Sequence, residues 1–265
     1  SKTHMTILSL ILNWIVGPAL MTGLAWATLP DLPGFRTGVI LVGIARCIAM
    51  VLIWNDLANG DPDYCALLVA VNSIMQIVLF TPVALFYLKV VSRNQGFHVD
   101  SWVVAKSVFL FLGVPLGAGM ITRFVMIRLV GRSWYNDKFL RFIGPFALIG
   151  LLYTIFVMFS IQAHHIVDNL VHVVRVAVPM LIYFVLVFFS SLAICNVMKI
   201  PYALSVTQAF TAASNNFELA IAVAVGSFGI DSEEALAATI GPLIEVPVLL
   251  LFVYIVGFFK HKWAN

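Results

Sequence analysis

The chain has 265 residues, 62% of them hydrophobic and only 10% charged, with a formal net charge of +3. A soluble domain carries about 25% charged residues, so this composition excludes a soluble enzyme and fits an all-α chain that crosses a membrane many times. No Lys/Arg block points to nucleic acid, and three cysteines without a CxxC pair, Cys47, Cys65 and Cys195, give no disulfide framework.

Taken in order, eight apolar stretches approach the roughly 20 residues that cross a bilayer as a helix. They are 8–29, 38–54, 66–88, 107–127, 142–161, 174–197, 203–228 and 235–259. Short polar connections such as Asp31-Leu32-Pro33-Gly34 and Asn59-Gly60-Asp61-Pro62 separate them, and the longer ones are 90–106 and 128–141. His164, His165 and His172 fall in a connection and match no metal-site spacing. The chain opens on Ser-Lys-Thr-His rather than Met, so its true start is expected upstream. Orientation follows from the basic residues of the connections. The C-terminal side holds Lys2, Arg123, Arg128, Arg132, Lys138, Arg141, Lys199, Lys260 and Lys262, against Arg36, Lys89, Arg93, Lys106 and Arg175 on the other. A cytoplasmic C-terminus is expected.

A weak internal repeat appears at a shift of 169 residues. Gly60 falls on Gly229, Ala66-Leu67 on Ala235-Leu236, and the stretch 71–77 on 240–246. The copies lie five spans apart, an odd number, so they run in opposite directions. Inverted repeats mark secondary transporters. The same register sets Arg46-Cys47 opposite Asn215-Asn216.

The second and seventh spans carry polar groups at mid-depth. The second holds Gly43-Ile44-Ala45-Arg46-Cys47, and the seventh Ser214-Asn215-Asn216-Phe217-Glu218. An arginine at mid-bilayer costs at least about 2.5–3.5 kcal/mol. It persists only with partners in the protein interior. Non-helical backbone at this depth survives where it is buried or lines a cavity. Two broken helices in matching repeat positions therefore point to a binding site, although polar residues also simply join helices. Arg46 either contacts substrate or neutralises the negative ends of the broken helices, and the second reading is favoured. Glu218 and Glu245 are the carboxylates inside spans, and a buried carboxyl can bind and release protons; the plainer role is an ion pair with Arg46. Glu218, next to the break, is the favoured proton carrier and Glu245 its rival. Gln76, the repeat mate of Glu245, lies one turn from Asn72 on a single helix face. Trp54 reads as an interfacial anchor. Cys47 alone is weak, since buried cysteine is mostly inert. No phosphate loop, HExxH or GxSxG is present, so neither an enzyme nor a cofactor is expected. A membrane thiol enzyme built on Cys47 would lack a His partner within any span.

The run from Gly43 to Asp56, GIARCIAMVLIWND, closely resembles the signature of arsenite efflux permeases of the arsenical-resistance family, in the bile acid/arsenite/riboflavin transporter superfamily. Three further stretches are similar to the same family: 12–18 (LNWIVGP), 213–220 (ASNNFELA) and 241–247 (GPLIEVP). The resemblance spans essentially the whole chain. It implies a ten-span carrier of two inverted five-span repeats, with two crossed broken helices in a core domain beside a panel domain. Eight of the ten spans are present, and the missing two would be the first and second. Residues 1–90 would be the remnant of the first repeat. Residues 91–173 would be panel-type spans with a basic cytoplasmic loop, and residues 174–265 the second-repeat core spans. The implied function is efflux of trivalent arsenite, with antimonite as a second substrate, across the plasma membrane in exchange for protons. The family's essential cysteine matches Cys47, and its essential glutamate matches Glu218. Substrate contacts are expected from Cys47, Arg46, Asn215 and Asn216, with Glu218 and Glu245 coupling protons. The partners are then arsenite or antimonite, protons and the lipid bilayer, with no nucleic acid; a homo-oligomer is compatible. The alternatives are a sodium-coupled organic-anion carrier of the same superfamily and a truncated, non-transporting product.

Overall fold

The computed structural model describes residues 2–92, 102, 105, 106 and 109–263. The expected connection 90–106, with Arg93, lies largely outside them. The first span is α1 (Lys2–Ile11) and α2 (Gly17–Thr28), joined without a break by a π-turn, Leu12–Val16. Pro18 removes one amide from the ladder, and the Gly17 N–H reaches five residues back to the Leu12 carbonyl. The second span is two short helices, α3 (Pro33–Ile44) and α4 (Met50–Leu57). Next come α5 (Pro62–Leu85), prolonged by a π-turn to Val91, then α6 (Val114–Val130) and α7 (Leu140–Asp168). The chain closes with α8 (Leu170–Val197), the split pair α9 (Tyr202–Ala213) and α10 (Phe217–Phe228), and α11 (Glu233–Trp263).

Among the described residues, four helical segments are long and apolar enough to cross a membrane: His4–Thr28, Pro62–Val91, Leu170–Val197 and Glu233–Lys260. The chain is thus an all-helical polytopic membrane protein. The other expected spans coincide with the two split pairs and with α6 and α7. One expectation is corrected. His164 lies within α7 and His172 within α8, with only Asn169 between the helices. The sequence there is polar, but the helices run through it.

The core is built where backbones approach closely. Gly34 and Gly38 form a small-xxx-small pair on α3, the pattern that lets membrane helices touch. A Cβ at Gly38 would sit 2.7 Å from the Cβ of Ala237 on α11. Phe188 of α8 locks two further helices, its ring 4.8 Å from Phe210 on α9 and 4.5 Å from Phe252 on α11. By contrast, α6 buries none of its described residues, and large apolar side chains such as Met120, Ile121 and Phe124 face outward. Such a surface suits lipid, not water.

At the end away from the C-terminus, Arg175 of α8 clamps Asp31, with Nη1 2.8 Å from Oδ2. The guanidinium holds the Asp31 carboxyl down, to about 2 from an ordinary 3.8. The tie is therefore complete above the unfolded value and weakens only as pH falls toward 2. Arg36, expected in a connection, is instead buried. It stacks 3.7 Å over Trp26 and donates to the carbonyls of Leu29 and Pro30.

Candidate functional site

The two interruptions meet. Ala45 leaves α3 in an extended conformation, and Ser214 leaves α9 in the same way. Arg46 and Asn215 then pair as an isolated antiparallel bridge, in which the Asn216 N–H donates to the Ala45 carbonyl at 3.0 Å. Asn215 Nδ2 adds bonds to the carbonyls of Val42, 2.8 Å, and Ala45, 3.3 Å. The Ala45 carbonyl has no helical partner, and the Val42 carbonyl keeps only the shorter-range bond from the Ala45 N–H at 3.2 Å; a buried carbonyl left unpaired is costly. Joining the breaks pairs them within the protein.

Two hydrogen bonds repeat across the junction. The Arg46 N–H donates to Gln76 Oε1 at 2.9 Å, and the Asn215 N–H to Glu245 Oε1 at 3.3 Å. Each spans 30 residues, and the partners match under the 169-residue shift. The second half-helices begin differently: Asn216 is itself the cap of α10, whereas α4 is capped at Ala49, without a side-chain bond, two residues after Cys47. Asn216 Oδ1 accepts from the Leu219 N–H at 3.0 Å and starts α10. Its repeat mate Cys47 accepts the Val51 N–H on Sγ at 3.3 Å, at the start of α4. Asparagine is a favoured helix cap and cysteine is not. Capping alone does not account for a thiol at position 47.

Arg46 is wholly buried. Its guanidinium donates to the carbonyls of Gly43 and Ile44, the last of α3, and its Nη1 lies 2.9 Å from the Tyr183 hydroxyl. Tyr183 in turn donates to the Ala212 carbonyl at the end of α9, 3.3 Å away. One cation thus serves the negative ends of both first half-helices, where aligned peptides place about half a negative charge. Among the described residues, no carboxylate oxygen lies within 4.0 Å of Arg46, so the ion pair weighed for it with Glu218 or Glu245 is not formed. Gly17 makes room for this arrangement. A Cβ there would stand 2.7 Å from Arg46 Nη1 and 3.1 Å from the Tyr183 hydroxyl. Gly17→Val is expected to destabilise the protein by about 1–3 kcal/mol, the usual cost of overpacking. Gly23→Val on the same helix, where a Cβ meets nothing within 4 Å, should leave the melting temperature in detergent unchanged. Equal melting of the two variants would refute this seat for Arg46.

The carboxylates differ from expectation. Glu245 is buried, 1% exposed, on the Asn215 amide. Glu218, expected to be buried, keeps its side chain accessible in the first turn of α10 although protein crowds around its carboxyl. The break turns its side chain outward while Phe217 faces in against Gly241. Both carboxylates lie within electrostatic range of Cys47 and of each other. Trp54, expected as an interfacial anchor, is also buried, and the neighbouring Asn55 accepts from Thr207 Oγ1 at 2.6 Å.

Sequence reasoning missed Tyr183 and Trp14. Tyr183 carries no local signal. Trp14, placed by the π-turn, donates from Nε1 to Asn72 Oδ1 at 3.2 Å. Asn72 lies one turn from Gln76 on α5, the face read from the sequence, and a polar stripe there could have suggested a partner. The assembled groups comprise one thiol, amides, an arginine held on helix ends and two carboxylates. Such a set can bind a soft, neutral, hydroxylated centre and hold a proton nearby. Among the described residues, no group of three or more His, Cys, Asp or Glu could hold a metal ion.

The sequence profile of the sodium bile acid symporter family matches residues 1–169. The chain is 52% identical to the arsenical-resistance protein Acr3 of Corynebacterium glutamicum, over 95% of this chain and 69% of that protein. It is 33% identical to an uncharacterized transporter of Synechocystis sp., over 94% and 69%. It is 34% identical to the Acr3 of Alkaliphilus metalliredigens, over 86% and 62%.

Proposed function

Because the chain belongs to the sodium bile acid symporter family, among its arsenical-resistance members, we propose that it expels trivalent arsenic from the cell by secondary active transport. One observation carries the reading: a buried thiol, Cys47, in a helix break that faces a second break bearing Asn215 and Asn216. Arsenous acid is neutral near pH 7, and its As(III) centre is soft, so thiolate is the matching ligand class. Three thiols would hold it too tightly for release. One thiol with amide contacts fills and empties, as transport requires. Arg46 supports the site by holding the helix ends and does not bind an anion. Antimonite, with the same soft trivalent centre, is a second substrate. Protons drive efflux by exchange, each carrying roughly 2.3 kcal/mol per 100 mV of membrane potential. ATP is not used.

The architecture that goes with this function is an inverted repeat in eight crossings. Residues 1–90 and 174–265 are the two halves of the core, and residues 91–173 are panel spans. The matched hydrogen bonds from Gln76 and Glu245 to the two breaks support that symmetry. The excess of Lys and Arg on the C-terminal side supports a cytoplasmic C-terminus in the plasma membrane. The experiment is transport by inverted membrane vesicles carrying this protein. Arsenite should accumulate under an imposed pH gradient without sodium, and taurocholate should not. Sodium-dependent taurocholate uptake without arsenite transport would overturn the reading in favour of an organic-anion carrier.

A further inference from the structure

One groove on the outside of the core is not used by the site above. It lies between α8, α9 and α11 and encloses about 190 Å³. Its depth is apolar, lined by Phe189, Leu192, Val206 and Ile255. Asn196 and Tyr202 line its other end. From Phe189 to Asn196 is seven residues of helix, about 10 Å, so the groove runs inward from the helix ends. Lysines stand at its mouth. Lys260 Nζ lies 5.8 Å over the Tyr202 ring, and Lys199 occupies the turn between α8 and α9. Among the described residues, no carboxylate oxygen lies within 4.0 Å of either lysine.

We propose that this groove is a binding site for an anionic phospholipid, with one acyl chain along Phe189, Leu192 and Ile255 and the phosphate at Lys199 and Lys260. The polarity of the groove follows that of a lipid, charged at the helix ends and apolar toward the membrane interior. Juxtamembrane lysines attract anionic lipid, and a zwitterionic headgroup would bring its own cation to them. A second copy fits less well, since a twofold contact uses the same patch on both partners and would bring two basic mouths together.

The test is native mass spectrometry of the full chain in detergent with equal amounts of dioleoylphosphatidylglycerol and dioleoylphosphatidylcholine. Each lysine contributes about fivefold at such a surface, so the wild type should retain the glycerol lipid by roughly 25-fold. Lys199→Gln with Lys260→Gln should bring the ratio close to 1. These side chains project from helix ends, and the melting temperature should not change. Ala193 is exposed in the groove wall, and Ala193→Trp should lower retention of both lipids by filling it. An equal ratio in the wild type, or an undiminished ratio in the double lysine variant, overturns the proposal. So does displacement of the lipid by excess inorganic phosphate, which would assign the lysines to a free anion. A lipid-free dimer that Ala193→Trp dissociates would overturn it in favour of a second copy.

Discussion

Cys47→Ser is expected to abolish arsenite efflux while the protein remains folded in the membrane. The side chain has two separable tasks. As an acceptor it takes the Val51 N–H in the first turn of α4, a bond that a serine hydroxyl can also accept. The fold should therefore survive, with a melting temperature equal to that of the wild type. As a ligand it offers soft sulfur to a soft As(III) centre, which a hydroxyl cannot replace. Transport should fall by about 100-fold or more, a factor that even outer-shell changes around bound metal centres reach. The other thiols provide the contrast. Cys65 lies 4.0 Å from the Val51 carbonyl, and Cys195 packs with Met5, Tyr64 and Leu68 at the C-terminal end of the molecule. Cys65→Ser and Cys195→Ser should keep near-normal efflux. The readout is arsenite movement in vesicles, with protein amount and melting measured on the same preparations. Undiminished efflux by Cys47→Ser would remove the thiol from the mechanism.

Glu245→Gln should uncouple transport from the pH gradient without loosening the junction of the two breaks. Gln76 supplies the control. Gln76, a neutral amide, accepts the Arg46 N–H in the position where Glu245 accepts the Asn215 N–H. An amide therefore fits this place and makes this bond. What a carboxyl adds is the capacity to take up a proton. Glu245 lies within electrostatic range of Cys47 and Glu218, so a proton there and substrate at the thiol can influence each other. Coupling free energies of this kind commonly correspond to factors of 5–150. The wild type is expected to gain about tenfold in arsenite movement from an imposed gradient, and Glu245→Gln to gain nothing. The exposed Glu218 is then the accessible end of the route, where Glu218→Gln slows proton exchange but leaves the gradient effective. If Glu218→Gln loses the gradient response while Glu245→Gln keeps it, the carrier is Glu218 and Glu245 is only a fastener.

The composition and the residue order by themselves determined the class of molecule and where two of its helices break. Apolar runs of spanning length, interrupted at Arg46-Cys47 and Asn215-Asn216, are local features, and hydropathy reads local features well. The 169-residue shift also set Gln76 opposite Glu245, and each accepts the N–H of the residue at its own break. The tertiary structure alone decided who meets whom. Arg46 sits on the negative end of α3, the reading the sequence favoured, but its bond to Tyr183, 137 residues away, has no signal in the sequence. Both carboxylates were expected inside spans, and the fold buries Glu245 while leaving the Glu218 side chain accessible. Trp54 is buried although tryptophan at a span end ordinarily marks the interface. The physical reason is common to all three. In a chain this apolar, the helix faces differ little in hydrophobicity. Which face turns inward is then set by close packing at glycines such as Gly17 and Gly38, and by the need to pair backbone groups freed at the breaks.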